Sequence, residues 1–280
     1  MTKIDQFESV FKAAAKTSFQ YEPFELPSVL VVTDVDGAQS EGILSSFKNK
    51  LQYCCDESTK WTILGADQSR NIPQLVEEVE RRASSLICTY RYLHEDEKWE
   101  NSLGDHTVAL TQQTKSPVLI WPDLPDAENL SNFETVMAMT DHLTGDHRLV
   151  NAAATLVDDD GKLDLVNVED EMNFERYMQV IEKIPEIDTD IAREKILNQL
   201  FKENKDYIHS CQQILKEHKP QLGVAETVLL GHHLREYRRL VEAHNVDLLV
   251  MHTKDEDQLA MHGLAYPLAV ELKQTPLLML

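Results

Sequence analysis

The stretch NVDLLVMHTKDEDQLAMHGLAYPLAVELKQTPLLML, residues 245–280, decides the fold of this chain. Its first apolar run, residues 246–251, is short, contains β-branched valines and is bounded by polar residues, so it predicts a buried strand. A polar loop and an amphipathic helix follow, and Pro276 opens a second apolar run at residues 277–280. Strand, helix and strand in about 35 residues make a βαβ unit, which requires a parallel sheet with both faces covered.

A similar stretch occurs earlier in the chain. SLICTY at residues 85–90 matches residues 247–252 at an offset of 162 positions. KSPVL at residues 115–119 matches residues 274–278 at an offset of 159, so the copies differ by three residues in the intervening segment. Because the apolar runs and the proline recur in the same order, we predict a tandem repeat of one α/β domain.

An apolar run that ends in Thr-Asp marks the start of each copy. VLVVTD at residues 29–34 is followed 107 positions later by VMAMTD at residues 136–141. The second copy then reads as five strands and four helices in βαβα order, while the first lacks one strand–helix pair. WTILG at 61–65 corresponds either to LDLVN at 163–167 or to TVLLG at 227–231. We favour TVLLG, because the helix and strand that follow it then align as well.

These repeats divide the chain into four predicted segments. They are an amphipathic helical extension at residues 1–26, a shortened first domain at 27–123, a polar linker at 124–133 and a complete second domain at 134–280. The extension places apolar side chains at spacings of three and four residues, namely Ile4, Phe7, Val10, Phe11 and Ala14. We expect this helix to dock on a domain or on a partner.

Composition narrows the class of protein. The chain has 27 basic and 48 acidic residues, a net charge of −21, so nucleic acid and anionic membrane surfaces are not expected partners. The four cysteines form no CxxC pair, which favours a reducing, cytoplasmic location, although the vicinal Cys54 and Cys55 leave a redox role open. Neither a membrane-spanning run nor the pattern of a signal peptide is present in the sequence.

In their order and duplication, these motifs resemble the universal stress protein family in its tandem-domain form. The shared features are the Thr-Asp strand ends at Asp34 and Asp141, a late DLLVMH-like strand, a glycine before the last helix at Gly104 and Gly263, and the closing proline-led strand. The resemblance covers residues 27–280. It implies two doubly wound, adenine-nucleotide-alpha-hydrolase-like parallel sheets with strand order 3-2-1-4-5, and a crevice at the carboxyl ends where the order reverses.

Some members of that family bind ATP through a glycine loop after the fourth strand. Here His252 and Asp255 hold the two glycine positions of the second copy, and Glu95 begins an acidic run in the first. Side chains and like charge would oppose a triphosphate, so no cofactor is expected, although ATP or AMP binding stays open. The resemblance implies ligand contacts for the strand-end aspartates, and the candidate ligand-binding residues are Asp34, Asp141, Val168, His252 and Gly263.

Other chemistry has weaker support in the sequence. Histidines converge at the predicted carboxyl edge of the second copy, and the weak candidates for metal ligands are His232, His233, His252 and His262. They lack the close spacing of known metal motifs, so we expect no metal. The sequence contains no GxSxG elbow, P-loop or GxGxxG, and we therefore predict that the protein is not an enzyme.

Interaction is the better-supported role. In the family the closing strand pairs with the same strand of another copy, and an unpaired sheet edge favours such pairing. We expect the two closing strands to pair within the chain as a pseudo-dimer, through Val118, Ile120, Leu277 and Met279. A homo-oligomer or a protein partner remains possible. The leading hypothesis is a non-enzymatic stress-response protein that acts through protein contacts or a small ligand. The alternatives are an adenine-nucleotide or small-molecule binding module in the second domain, and a slow ATP hydrolase.

Overall fold

The computed structural model describes residues 18–95, 101–123, 132–139, 145–253 and 263–280. Within these residues, nine strands form one sheet. The strands are β1 (Ser28–Val32), β2 (Lys60–Leu64), β3 (Leu86–Tyr90), β4 (Val118–Trp121), β5 (Thr135–Met139), β6 (Lys162–Asp170), β7 (Gly223–Gly231), β8 (Leu248–Met251) and β9 (Leu277–Met279). The helices described are α1 (Ala38–Lys50), α2 (Ala66–Ser69), α3 (Ile72–Arg82), α4 (Asp105–Gln113), α5 (His147–Leu156), α6 (Glu171–Ile181), α7 (Thr189–His218), α8 (His233–His244) and α9 (Ala265–Glu271).

The strands lie in the order β2-β1-β3-β4-β9-β8-β5-β6-β7. Neighbouring strands are parallel except for β4 and β9, which pair antiparallel. The predicted α/β class is confirmed. The two predicted sheets are joined edge to edge into one by the β4–β9 ladder, which is the pairing of closing strands that the sequence predicted. Counted from β5, the second half has the order 3-2-1-4-5, and the first half follows it without one strand.

The register of β2 corrects one sequence alignment. Val29 of β1 pairs with Trp61, and Val136 of β5, its counterpart, pairs with Leu163 of β6. WTILG therefore takes the place of LDLVN, and the favoured match to TVLLG is wrong. The unit that the first half lacks is α6, α7 and β7, since β7 pairs with β6 and nothing equivalent follows β2 among the described residues.

The central strands are buried because helices cover the sheet. All five residues of β3 and all four of β8 are buried, which explains their continuous apolar runs. The long helix α7 packs its C-terminal half on the sheet, with Ile208, Cys211 and Leu215 fully buried. None of the helices in the described residues is both long and apolar enough to cross a membrane.

Residues 18–26 run as an irregular segment from the second half, which they contact, to the start of the first half at β1. Asn151 of α5 clamps this segment, accepting from the Glu22 amide at 3.1 Å and donating to the Gln20 carbonyl at 2.9 Å. Phe19 is 1% exposed and donates its backbone N–H to Ser210 of α7. The amphipathic helical extension predicted at residues 1–26 is described only from residue 18 onward, and residues 18–26 are not helical.

Candidate functional site

The strand order places one crevice in each half, where the order reverses. In the first half it lies between the carboxyl ends of β1 and β3, and in the second between those of β5 and β8. Both are topological switch points, at which ligands of open α/β sheets usually bind.

In the first crevice, the buried Tyr90 is hydrogen-bonded to Asp34. Tyr90 ends β3 and is 4% exposed, and its hydroxyl donates to the carboxylate of Asp34 in a short hydrogen bond. The same hydroxyl accepts from the Asp34 backbone N–H at 3.1 Å and lies 2.8 Å from the hydroxyl of Thr33. Burial raises the pKa of Tyr90, so the phenol stays neutral as a donor. The side chain of Asp34 is therefore held by the chain itself.

A turn after β3 adds a second contact to the same carboxylate. The backbone N–H of His94 donates to Asp34 at 3.0 Å, with His94 in the left-handed region at φ 62°. The ring of His94 lies 2.6 Å from the hydroxyl of Ser69 and has its centroid 4.8 Å from that of His106. Burial lowers the pKa of His94, and the proximity of His106 lowers it further.

The contact between Ser69 and His94 does not form a catalytic triad. Ser69 is fully buried and donates within 2.9 Å of the carbonyls of Thr33 and Gly65. Asp34 accepts from the backbone N–H of His94 and so does not orient the ring as the acidic member of a triad would. The geometry holds the turn in place.

The N-terminus of α4 is occupied by a carboxylate of the chain. Glu95 accepts from the backbone N–H of Asp105, the first residue of α4, at 2.6 Å. Helix N-termini bind anions, since their amides are unpaired and the helix dipole is positive there. Gly104, at φ +90°, lies against this turn, and a Cβ at its position would come within 2.9 Å of both Glu95 and Tyr92. The Glu95 carboxylate thus lies against the N-terminus of α4.

The second crevice is arranged differently. His252, which takes the place of Tyr90, lies 2.7 Å from the carboxylate of Asp146, and their side chains are 31% and 12% exposed. Asp146 also caps α5 by accepting from the backbone N–H of Leu149 at 3.0 Å. Asp141 lies outside the described residues, so its predicted role in this crevice stays a prediction.

The other predicted site residues are spread over the second half. Val168 is 1% exposed, and its backbone N–H donates to the hydroxyl of the fully buried Tyr237 at 3.2 Å. Gly263 is exposed, and a Cβ there would meet nothing within 4 Å. It precedes α9, a helix of seven residues.

The histidines of the second half that the structure describes have different surroundings. His232 precedes α8 and is exposed, and His233 has its ring centroid 6.2 Å from that of Tyr237, while His252 pairs with Asp146. His262 lies outside the described residues. The residues that the structure describes contain no group of three or more His, Cys, Asp or Glu side chains suited to a metal ion.

The closing strands pair with each other. Val118 lies opposite Met279, and Ile120 lies opposite Leu277. The repeat offset of 159 converts Val118 into Leu277 and Ile120 into Met279, so the ladder exchanges equivalent residues as a two-fold axis would. Each of the four residues is at most 1% exposed.

A buried arginine crosses this junction. Arg91, immediately after β3, is 3% exposed and donates to the carbonyls of Ala269 and Leu272 at 2.7 and 2.8 Å. These carbonyls end α9, where the helix dipole favours a cation. Burial lowers the pKa of Arg91 to about 10. The equivalent position in the second half holds Thr253, which donates instead to the carbonyl of Leu280 at 2.7 Å.

Sequence reasoning missed Tyr90 and Asp146 as site residues, and it placed Glu95 at the phosphate-loop position without its contact with α4. The repeat alignment itself contained one signal, because it places Tyr90 opposite His252, a polar-tipped side chain at the end of a buried strand in each copy. The contact of Glu95 with α4 and of Asp146 with His252 depends on loop geometry, which leaves no periodic pattern in the sequence.

Comparison with solved structures identifies the fold. Over 92% of its length the chain is similar to a universal stress protein from Archaeoglobus fulgidus DSM 4304, of which it covers 97%, with 13% identity and a TM-score of 0.55. The chain is also similar, along 92% of its length, to a functionally unknown protein from Pseudomonas aeruginosa PAO1. It covers 93% of that protein, with 14% identity and a TM-score of 0.53. No protein-family model and no curated protein matches the sequence. The likeness is one of fold, and it includes both halves.

Proposed function

We propose, from this universal-stress-type fold, that the chain is a non-enzymatic stress-response protein that acts through protein contacts or a small ligand. It would do so without the glycine-loop ATP site of the family that it resembles. The proposal concerns both crevices, for different reasons.

The observation that carries the proposal is the contact of Glu95 with the N-terminus of α4. A bound phosphate would need the backbone amides at the start of α4, and the Glu95 carboxylate already accepts from one of them, that of Asp105. It would also meet an unfavourable charge at close range. Tyr90 supports the same conclusion, since its hydroxyl engages the Asp34 carboxylate that the resemblance assigns to the adenosine part.

A second candidate function, binding of adenine nucleotide or another small molecule, is favoured by the second crevice. His252 and Asp146 form a polar pair with one-third of the histidine side chain exposed. Partly exposed polar groups at a switch point are what a small ligand would contact. This crevice is therefore where we expect any ligand of the chain to bind.

The test is calorimetric titration of the purified full-length protein with ATP and, separately, with adenosine, alongside mass spectrometry of any ligand that the protein releases. We expect ATP to bind no more tightly than adenosine, because no phosphate cradle adds affinity. Micromolar binding that depends on the triphosphate would contradict the proposal. Release of phosphate from ATP above the uncatalysed rate would support the ATP hydrolase instead.

Two variants distinguish the crevices. His252→Asn should weaken any small-ligand binding, whereas Tyr90→Phe should leave it unchanged. The reverse result would place the ligand in the first half and contradict the assignment.

A further inference from the structure

The hairpin formed by α6 and α7 carries an uncovered apolar surface. All seven large hydrophobic side chains that are strongly exposed among the described residues lie between Met172 and Leu200. Met172 is 71% exposed and Tyr177 is 66% exposed, although α6 already buries Phe174 and Met178. Of these seven side chains, Leu200 is the one that lies on the side of α7 facing the sheet in its C-terminal half.

The apolar stripe of α7 is covered along only part of its length. In the C-terminal half, Ile208, Cys211 and Leu215 are fully buried. The same stripe continues toward the N-terminus through Leu197, Leu200 and Phe201, of which Leu200 is 36% exposed and the other two are half-buried. We call Leu197, Leu200 and Phe201 the open stripe.

The first described residues of the chain contact α7 just after this stripe. Phe19 contacts Tyr207, with ring centroids 6.4 Å apart, and donates to Ser210, while the ring of Tyr21 stacks on that of His218 at 4.3 Å. From Phe19 to Tyr21 the segment thus runs along α7 toward its C-terminus. The open stripe lies farther toward the N-terminus of α7, on the side of Phe19 away from Tyr21.

We propose that residues 3–17 pack as an amphipathic helix on the open stripe of α7. The pattern of Ile4, Phe7, Val10, Phe11 and Ala14 supplies the apolar face that the stripe lacks. Leu200 lies seven residues, about two turns, before Tyr207 and so on the same face as the point where Phe19 docks.

Length and charge agree with this occupant. Fifteen helical residues span about 22 Å, which fits the roughly 27 Å from the start of α7 to Tyr207. Residues 1–17 contain three lysines and two acidic side chains, so this segment is slightly positive in a chain with a net charge of −21. The field of the rest of the molecule therefore attracts it.

Hydrogen exchange with mass spectrometry on the full-length protein tests the proposal. A helix of about 15 residues is marginal alone in water, so protection of its amides requires docking. We expect amides in residues 3–17 to exchange at least about tenfold more slowly than the unfolded rate. Leu200→Asp should abolish that protection. Ile191→Asp is the matched control, because Ile191 lies nine residues, about two and a half turns, earlier on the opposite face of α7 and is 51% exposed.

A second pair of variants changes only residues 3–17 and leaves the described core unaltered. Phe7→Asp should remove the protection, and Ser9→Asp, on the polar side of the same predicted helix, should retain it. Exchange at the unfolded rate in the unmodified protein would overturn the proposal, as would protection that survives both Leu200→Asp and Phe7→Asp. Protection that disappears on dilution together with a dimer in sedimentation would overturn it too, since a second copy would then be the occupant.

Discussion

Leu119 lies directly opposite Leu278 in the antiparallel ladder between β4 and β9, and the two leucines are equivalent positions of the repeat. Both are fully buried. The pseudo-two-fold axis therefore passes between them, and the edges through which two separate domains would pair are used within one chain.

Because Leu119 and Leu278 face each other, their truncations should be coupled. Leu119→Ala and Leu278→Ala should each lower the free energy of unfolding by about 2–5 kcal/mol, and the double variant should fall short of the sum by about 0.5–3 kcal/mol. Urea unfolding measures all three. Leu119→Ala with Leu165→Ala is the control, since β6 lies four strands from β4, about 19 Å, and these effects should add. Additivity of the facing pair would contradict a packed junction.

Removal of the Tyr90 hydroxyl should destabilise the first crevice. Tyr90→Phe leaves the half-buried Asp34 carboxylate and its backbone N–H each without one partner, and we expect a loss of about 1–3 kcal/mol in the free energy of unfolding. Tyr177→Phe is the matched control, because Tyr177 is 66% exposed and its change should stay within about 0.5 kcal/mol. Equal effects in the two variants would show that the hydroxyl of Tyr90 contributes nothing specific.

His94 should make the first crevice sensitive to acid. Burial lowers the pKa of His94, so near neutral pH the unfolded chain binds more protons at this position than the folded one. Its contribution to stability is therefore present above the unfolded value of about 6.5 and is lost as the pH falls below that value through the lower folded pKa. His94→Gln should flatten the fall in unfolding free energy between pH 7 and 5, and the exposed His232→Gln should leave the profile unchanged. Parallel profiles for the native protein and His94→Gln would refute this origin.

Lys50 should make the free energy of unfolding depend on pH in the alkaline range. Its ammonium lies 3.9 Å from the ring centroid of Phe133, and burial lowers its pKa to about 8, against the attraction of Asp247 and Glu134. The unfolded chain then binds more protons than the folded one above pH 8, so this contribution to stability rises with pH toward the unfolded value. Buried thiols and tyrosines with raised pKa values have the opposite trend.

The Lys50 effect is isolated by comparing the native protein with Lys50→Met at each pH. Met keeps the contact with the aromatic rings and carries no charge. Between pH 8 and 9.5 the stability of the native protein should gain about 1.5 kcal/mol relative to Lys50→Met. Chemical unfolding at both pH values gives the difference directly. A difference that does not change with pH would mean that Lys50 stays fully protonated over this range in the folded state.

Asp146 should stabilise α5 as its cap, independently of its charge. Asp146→Ala removes the acceptor for the Leu149 amide and should cost about 1–2 kcal/mol of unfolding free energy. Asp146→Asn keeps an acceptor of the same geometry and should cost less than about 0.5 kcal/mol. Thermal unfolding of the two variants checks this. If Asn were as destabilising as Ala, the ionic contact with His252 would be the dominant role of Asp146.

The sequence by itself determined the tandem repeat, the buried strands β1, β3 and β8, and the closing strands that join the halves. These features rest on local patterns, since a fully covered parallel strand reads as a continuous apolar run and a proline marks the end of a helix. The apolar stripe of α7 was likewise visible at helical spacing, although only its C-terminal half is covered by the sheet.

Only the tertiary structure decided the place of WTILG, the closure of the first crevice and the pairing of His252 with Asp146. Strand position depends on hydrogen-bond register, and the favoured alignment with TVLLG failed because local similarity does not report which strand is the neighbour. Tyr90 contacts Asp34 across 56 positions, and His252 contacts Asp146 across 106. Such contacts arise because parallel strands bring their carboxyl ends to one edge, and the loops there carry no periodic signal.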